Sequence, residues 1–329
     1  MVINELQQQL FNHIKASLPV HMSLADELCC LLNISPDSAY RRIRGEKPIT
    51  LTELKTICEK YKLSLDQLLQ LQTDTVVFKA SDLKKRSFPF ADILGNMLMQ
   101  LKYFNSFKDK TLLYLCKDMP FWQFFLYPEL AAFKIFFWAK TLHNEPEYAN
   151  RQFALDEIDY SDFIKTGKEL LGLYNQIPSV ELWNLESINS TTSQIKFYKE
   201  SGVFKKERDI EMVVNSFQNT LNHLQIQAER NTKFLPGDSD LLYKAPVQLY
   251  VNEVVIGSNT ILAELDGAKV SFIPYNVFSF LFTRDVTFNE SVFDGFNRLR
   301  SRSTLISCTG EKERSKFFNT MRTRLNELR

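Results

Sequence analysis

The first 72 residues carry apolar positions at the three- and four-residue spacing of amphipathic helices. Capping residues divide this stretch, because a serine or threonine hydroxyl accepts hydrogen bonds from the free amides at a helix start. Ser23, Ser35 and Thr50 occupy such positions, while Asn33 and Gly45 suit helix ends because they tolerate a left-handed backbone. The pattern predicts five short helices, over residues 3–16, 24–32, 36–44, 51–61 and 65–69.

The third of these predicted helices, residues 36–44, has a strongly charged outer face. With about 3.6 residues per turn, Ala39 and Ile43 face inward, whereas Asp37, Arg41 and Arg44 lie on the opposite side. A tight helix pair whose second helix offers arginines to the outside is the physical outline of a DNA-reading helix-turn-helix.

Three segments within residues 3–72 resemble the phage-repressor and Cro-like (xenobiotic-response-element) helix-turn-helix family of transcriptional regulators. They are SLADELCCLLNIS, PDSAYRRIRG and TLTELKTICEKYKLSLDQLL. The resemblance implies an all-α five-helix domain whose third helix lies in the major groove of double-stranded DNA. It also implies a homodimer that binds paired half-sites.

The third helix and the residues after it supply the candidate DNA contacts. An arginine can bond bidentately to guanine and an aspartate can accept from cytosine, so we expect base contacts from the outer face. Phosphate contacts position the protein without specifying sequence, and they suit the remaining basic residues. The expected base-reading residues are Asp37, Ser38 and Arg41, and the expected phosphate-binding residues are Arg42, Arg44 and Lys47.

A purely structural interpretation of the same residues stays open. Asp37 and Arg41 can pair at i,i+4 spacing on a solvated face of a five-helix bundle. Residues 1–75 also carry eight basic against nine acidic side chains, a net charge of −1. DNA affinity must therefore come from focused contacts and from the pairing of two readers rather than from bulk charge.

The remainder of the chain changes pattern twice. After a linker over residues 73–87, residues 88–235 predict helices at 90–107, 122–143, 161–176 and 206–230, with a lone strand at 111–117. Residues 236–329 contain the period-two runs VQLYVNEVV, TILAEL, KVSFIPY and FSFLFT, and then two closing helices around a short strand at 305–306. The predicted fold class is multidomain, with the all-α domain followed by a mainly helical α+β domain that ends in an antiparallel β-meander.

The stretch FWQFFLYPELAAFKIFFW, residues 121–138, is the most aromatic part of the chain. Gln123, Glu129 and Lys134 within it would be costly in a bilayer, so we expect a buried helix rather than a membrane span. Its aromatic rings suit a hydrophobic core or a dimer interface, or alternatively the wall of an apolar ligand pocket.

The last 32 residues are strongly basic, with nine Lys and Arg against three Glu. One interpretation places an anion or effector site where these arginines adjoin a helix start, because free backbone amides attract anions. The interpretation that the pattern favours is a solvated helix face with long cationic stems covering apolar neighbours. The candidate residues are Arg298, Arg300, Arg302, Thr309 and Gly310.

Composition and motifs limit the chemistry further. Five cysteines, an odd number without a CxxC pair, favour the reducing cytosol over a disulfide framework. The four histidines are scattered, and the ten glycines form no phosphate-binding or nucleophile-elbow motif. We therefore predict no catalytic residues, no metal and no cofactor.

The leading hypothesis is a cytoplasmic, dimeric transcriptional regulator whose larger domain dimerises, senses a small-molecule effector, or does both, with no membrane partner. The alternative is an enzyme or defence effector in the C-terminal domain, with the N-terminal domain used for autoregulation or tethering. Convergence of Arg298, Arg300, Ser303 and Glu311 around a cavity would favour that alternative. A third hypothesis is a protein-interaction scaffold that has lost DNA binding.

Overall fold

The computed structural model describes residues 3–18, 22–61, 63, 75–80, 90–238, 245–254, 256–277 and 279–329. It divides the chain into two compact units, Met1–Val77 and Phe78–Arg329. Each unit has its own hydrophobic core.

The N-terminal unit consists of short helices joined by tight turns. Its core is formed by Leu10, Phe11 and Ile14 of the first helix and by apolar residues of the next three, among them Leu28 and Ile57. The described helices are α1 (Ile3–Ser17), α2 (Leu24–Leu32), α3 (Pro36–Ile43) and α4 (Leu51–Tyr61). The predicted fifth helix, residues 65–69, lies outside the described residues.

The predicted capping residues of this unit form the expected capping hydrogen bonds. The Ser23 hydroxyl accepts from the amide of Asp26, and the Ser35 hydroxyl accepts from the amide of Ser38. Asn33 ends α2 in the left-handed conformation, with φ of 52°. These local predictions are confirmed because each depends on residues no more than four positions apart.

The C-terminal unit alternates helices and strands along most of its length. Its helices are α5 (Phe90–Asn105), α6 (Pro128–Phe137), α7 (Ser161–Tyr174), α8 (Asn189–Glu200), α9 (Glu207–Arg230), α10 (Val286–Ser301) and α11 (Glu311–Asn326). Its strands are β1 (Lys79–Ala80), β2 (Lys110–Cys116), β3 (Ser179–Trp183), β4 (Val247–Val251), β5 (Ile261–Leu265), β6 (Ala268–Pro274), β7 (Phe280–Thr283) and β8 (Thr304–Leu305).

The described strands form one mixed eight-stranded sheet in the order β1-β7-β6-β5-β2-β3-β4-β8. The neighbouring strands β2, β3 and β4 are parallel, with Leu112 opposite Ser179 and Ser179 opposite Val247. All other neighbouring pairs of described strands are antiparallel. The C-terminal unit is thus an α+β fold, as predicted in outline.

Alternating side chains of β2 enter two different cores, because successive residues of a strand point to opposite faces. Leu112, Tyr114 and Cys116 join a large core shared with α5 to α9 and α11. Leu113 instead belongs to a second core on the other face of the sheet, together with Phe293 and Phe296 of α10. The sheet therefore carries a thick helical layer on one face and α10 on the other.

Several predictions for the C-terminal unit are wrong. The strand at 111–117 is not alone but lies at the centre of the sheet, between β3 and β5. Strand β3, with the sequence SVELW, was assigned to a mainly helical stretch, and β4 pairs with β3 rather than joining the meander of β5, β6 and β7. The division into a helical part and a β-rich part fails for the same reason, since strands from both parts interleave in one sheet.

The aromatic stretch is not one continuous helix. It begins as the 3-10 helix Phe121–Phe125, continues as α6 from Pro128, and ends in the π-helical turn Trp138–Leu142. Every residue of α6 from Leu130 to Phe137 is buried, which confirms the prediction of a buried helix. Within the described part of the chain, no helix is both long and apolar enough to cross a membrane.

Candidate nucleic-acid interface

The outer face of α3 presents a cluster of exposed polar side chains. Arg41 and Arg44 have side chains that are 51% and 55% exposed, and Asp37 is exposed on the preceding turn. Tyr40 is 50% exposed and extends this surface. Lys47 is exposed in the segment that follows α3.

Arg42 does not belong to this surface, although it was predicted to hold a phosphate. It is 4% exposed, and its guanidinium donates to the Glu53 carboxylate, with Nη2–Oε1 of 2.6 Å and Nε–Oε2 of 3.2 Å. The same guanidinium donates to the backbone carbonyl of Ser38 and to its hydroxyl. With its donors engaged inside the unit, Arg42 joins α3 to α4 and is not free to bind a phosphate.

Glu53 binds Arg42 and also caps the start of α4. Its carboxylate accepts from the amide of Thr50 at 2.9 Å while its own amide donates to the Thr50 hydroxyl, which completes the predicted capping box. Burial acts to raise the pKa of Glu53, but the hydrogen bonds from Arg42 and Thr50 outweigh it, so this pKa lies below its usual value. The carboxylate thus stays ionised and holds Arg42 in place.

Gln7 of α1 fixes the segment between α3 and α4. Its side-chain amide donates to the carbonyls of Arg42 at 2.7 Å and Lys47 at 2.9 Å, and its oxygen accepts from the amide of Ile49 at 3.0 Å. Gln7 is 6% exposed, so these bonds form away from water. Its polar side chain on the apolar stripe of α1, four residues after Ile3, was a signal that the sequence analysis missed.

Glu46 places a carboxylate beside the two exposed arginines. It pairs with Arg44 at 2.6 Å and with Arg41 at 3.8 Å. The hydrogen bond from Arg44 lowers the pKa of Glu46, and the same bond raises the pKa of Arg44. An incoming phosphate or guanine would have to displace this carboxylate from both guanidinium groups.

The predicted anion site near the C-terminus is not assembled into one cluster by any contact between the described residues. Arg298 and Arg300 lie in the last turn of α10, and Gly310 starts α11, whose apolar residues pack in the other core. The helix start carries Glu311 and Glu313 in its first turn.

Gly310 of that predicted site lies where two backbone segments approach closely. A Cβ on Gly310 would lie 2.5 Å from the Leu305 carbonyl oxygen, so glycine is required here for close approach. Thr309 is exposed beside it, and Arg302 caps the end of α10. Nothing here points to a ligand, and the anion site stays a prediction.

The described residues likewise do not form the polar cluster around a cavity that would favour an enzyme in the C-terminal unit. Ser303 donates to the carbonyl of Leu299 at 2.7 Å and accepts from Asn252 at 3.0 Å, rather than meeting Arg298, Arg300 or Glu311. No group of three or more histidine, cysteine or acidic side chains in the described ranges could hold a metal ion.

The comparison with protein families identifies the N-terminal region. Residues 4–82 match the family model described as BetR domain. The resemblance to the phage-repressor and Cro-like family is therefore wrong, because the region that suggested it matches this other family. The match covers about a quarter of the chain and indicates a regulatory or DNA-associated role. Neither the curated proteins nor the solved structures contain a match to this chain.

Proposed function

We propose that this protein is a sequence-specific DNA-binding transcriptional regulator and that the outer face of α3 is its DNA-contacting surface. The observation that carries the proposal is the position of Arg41 and Arg44. Arg41 lies on α3 and Arg44 caps its end, and both are half-exposed. Hydrogen bonds from Arg42 and Gln7 hold the other side of this short helix and the segment after it. A rigid support of this kind keeps a contact surface in one geometry before it binds.

The contacts divide by chemistry. Asp37, Ser38 and Arg41 would read base edges, because their donors and acceptors match those of guanine and cytosine. Arg44 and Lys47 would bind phosphates. Arg42 moves from the phosphate-binding set to a positioning role, since its guanidinium is already bonded to Glu53.

Pairing of two copies completes the proposal. Residues 1–75 have a net charge of −1, so one N-terminal unit has little long-range attraction for DNA. Two linked units bind with a raised effective concentration and read two half-sites. The C-terminal unit would supply this homodimer contact and the response to a small-molecule effector.

Selection of bound sequences from a random pool of duplex DNA, with the purified full chain, tests the proposal. We expect enrichment of a site with two related half-sites. Failure to bind any duplex at low ionic strength would contradict DNA binding, whereas an enriched single half-site would contradict pairing alone.

Three variants measured on the enriched site then locate the contacts. Arg41→Ala should weaken binding by about 1–3 kcal/mol, and Lys47→Ala should reduce the slope of log affinity against log salt by roughly 1. Arg298→Ala, an exposed arginine of the C-terminal unit, is the matched control and should change neither quantity. A larger loss for Arg298→Ala than for Arg41→Ala would move the DNA surface to the basic C-terminus.

A further inference from the structure

A cavity of about 440 Å³ lies in the C-terminal unit between α5 and one face of the sheet. Its walls come from α5, from β2, β5, β6 and β7, and from the 3-10 helix Phe121–Phe125. This volume is in the lower half of the usual range for small-molecule sites, roughly 300–1,000 Å³.

The lining of the cavity is mainly apolar and rich in aromatic rings, with the amide side chains of Asn96 and Gln100 on α5. Phe104 and Phe282 both pack against Phe272, with ring centroids 5.6 Å and 5.9 Å apart. Among the described residues, no acidic, basic or histidine side chain lines the cavity. An ionised ligand would lose its hydration here without gaining an opposite charge, so the chemistry of the walls selects a neutral ligand.

A tryptophan and a tyrosine lie side by side in this wall, Trp122 and Tyr114. The indole Nε1 of Trp122 is fully buried and is not reached from the cavity, so Trp122 contributes only its ring. Tyr114 adds a hydroxyl, and burial, with smaller effects of Cys116 and Glu181, raises its pKa well above the usual value, so the hydroxyl keeps its proton. The Tyr114 hydroxyl is therefore a donor that suits a ligand acceptor such as a carbonyl oxygen.

The Trp122 ring is held in one orientation by its neighbours. It stacks on Tyr174, with centroids 4.4 Å apart and an interplanar angle of 26°, and it meets Tyr114 edge to face at 5.9 Å. The Trp122 ring is thus a fixed part of the cavity wall.

The cavity also has an accessible side. Met99 and Tyr103 of α5 line it and are 63% and 43% exposed. Methionine side chains adapt to ligands of different shape because they are unbranched and flexible. An entry at this side distinguishes the cavity from a sealed packing void.

We infer that this cavity binds a neutral, flat aromatic small molecule that carries a hydrogen-bond acceptor. Aromatic rings would contact the ligand, and the Tyr114 hydroxyl would donate to its acceptor. The inference extends the effector-sensing part of the proposed function, but it is tested by ligand binding alone. A failure of DNA binding would leave it standing.

Three fluorescent probes of similar size test the charge and acceptor requirements on the full chain. They are the neutral amine N-phenylnaphthylamine, its anionic relative anilinonaphthalene sulfonate, and the neutral ketone prodan. We expect both neutral probes to bind and the anionic probe to bind at least about tenfold more weakly. Equal binding of the anionic probe, or no binding of either neutral probe, would overturn the inference.

Variants then place the probes in the cavity. Met97→Trp fills the space from a half-buried position of α5 and should weaken both neutral probes about tenfold or more, with thermal unfolding as the check on folding. Binding that is unchanged in a folded Met97→Trp protein would show that the probes bind elsewhere and overturn the inference.

A second pair of variants stays informative even where Met97→Trp does not fold. Tyr114→Phe should weaken prodan about three- to tenfold and leave N-phenylnaphthylamine unchanged, because only prodan has the carbonyl acceptor. Tyr160→Phe is the control, since it removes another buried tyrosine hydroxyl, one that does not line the cavity. Equal effects of the two variants on prodan would count against the assigned donor.

Discussion

Arg42 and Glu53 form a two-bond ion pair that joins α3 to the first turn of α4, with an Nη2–Oε1 distance of 2.6 Å. The Arg42 side chain is 5% exposed and that of Glu53 is 17% exposed. Because the same carboxylate also caps α4 through Thr50, the pair couples the end of one helix to the start of the next. The surface that carries Arg41 and Arg44 depends on this joint for its position.

Arg42→Ala should destabilise the N-terminal unit by about 3 kcal/mol, because it leaves a partly buried carboxylate without its partner. Amide hydrogen exchange of the full chain, followed on peptides from residues 3–61, measures the change locally. Arg41→Ala, which removes a half-exposed arginine one position earlier, should leave the same exchange rates almost unchanged. Equal effects of the two variants would contradict the positioning role of Arg42.

Glu46→Gln should strengthen DNA binding by about two- to threefold at low salt, an effect of the size expected for an exposed ion pair. The substitution frees Arg41 and Arg44 from a carboxylate that competes with DNA, and it removes a negative charge near the phosphates. Fluorescence anisotropy with the selected duplex measures the change. Glu59→Gln is the control, because it removes an exposed carboxylate of α4 that pairs with Lys55; equal gains in both would point to net charge alone.

Gly167→Ala should destabilise the C-terminal unit by about 1–3 kcal/mol, the usual cost of overpacking a core. A Cβ at position 167 of α7 would overlap the ring of Phe125, which is fully buried. Gly95→Ala in α5 should instead stabilise the protein by about 0.5–1 kcal/mol, because alanine loses less backbone entropy in a helix. The added methyl would have no atom within 4 Å beyond its own stretch of helix. Urea unfolding followed by tryptophan fluorescence should separate the two variants in sign.

Lys134 is a buried lysine within the aromatic core of the C-terminal unit. Its ammonium donates to Gln194 at 2.7 Å and to Thr191 at 3.2 Å, and it lies 4.2 Å from the centre of the Phe124 ring. Burial lowers the pKa of Lys134 from 10.5 to about 7, against an opposing effect of Asp118. The folded state therefore favours the neutral amine above neutral pH.

The free energy of unfolding should consequently rise with pH above about 7. There the unfolded chain still binds the lysine proton and the folded chain does not, so Lys134 contributes a slope of about 1.4 kcal/mol per pH unit. Lys233, whose pKa burial also lowers to about 7, adds a similar slope. Lys134→Met should roughly halve the total slope in urea unfolding measured from neutral pH upwards.

The control for this pH dependence is Lys102→Met, because Lys102 is an exposed lysine paired with Glu169. It should leave the slope unchanged. A Lys134→Met protein with the slope of the unaltered chain would show that Lys134 keeps its proton in the folded state.

The difference between Arg41 and Arg42 shows where sequence reasoning reached its limit. The two arginines are adjacent on α3, and the sequence analysis predicted that Arg42 binds a phosphate. Its actual partner, Glu53, is eleven positions away on another helix. Only the packing of α4 against α3 decides that Arg42 turns inward.

Strand β3 illustrates the same limit in the sheet. All five of its residues are buried, so it lacks the alternating pattern that marks a half-exposed strand. Glu181 at its centre is buried because Ser179, Tyr174 and Trp183 all donate to its carboxylate. Two of these donors lie on the strand itself, but no spacing of residues in the sequence predicts that all three donate to one carboxylate.

The sequence by itself determined the four described helices of the N-terminal unit, with caps at Ser23, Ser35 and Thr50, and the alternation that marks β5 to β7. These features depend on neighbours a few positions apart, whose geometry the backbone already sets. Only the tertiary structure decided the order of the strands in the sheet, the burial of Arg42, the hydrogen bonds of Gln7 and the aromatic cavity. Each of these joins residues far apart in the chain, and which distant groups meet is decided by how whole elements pack.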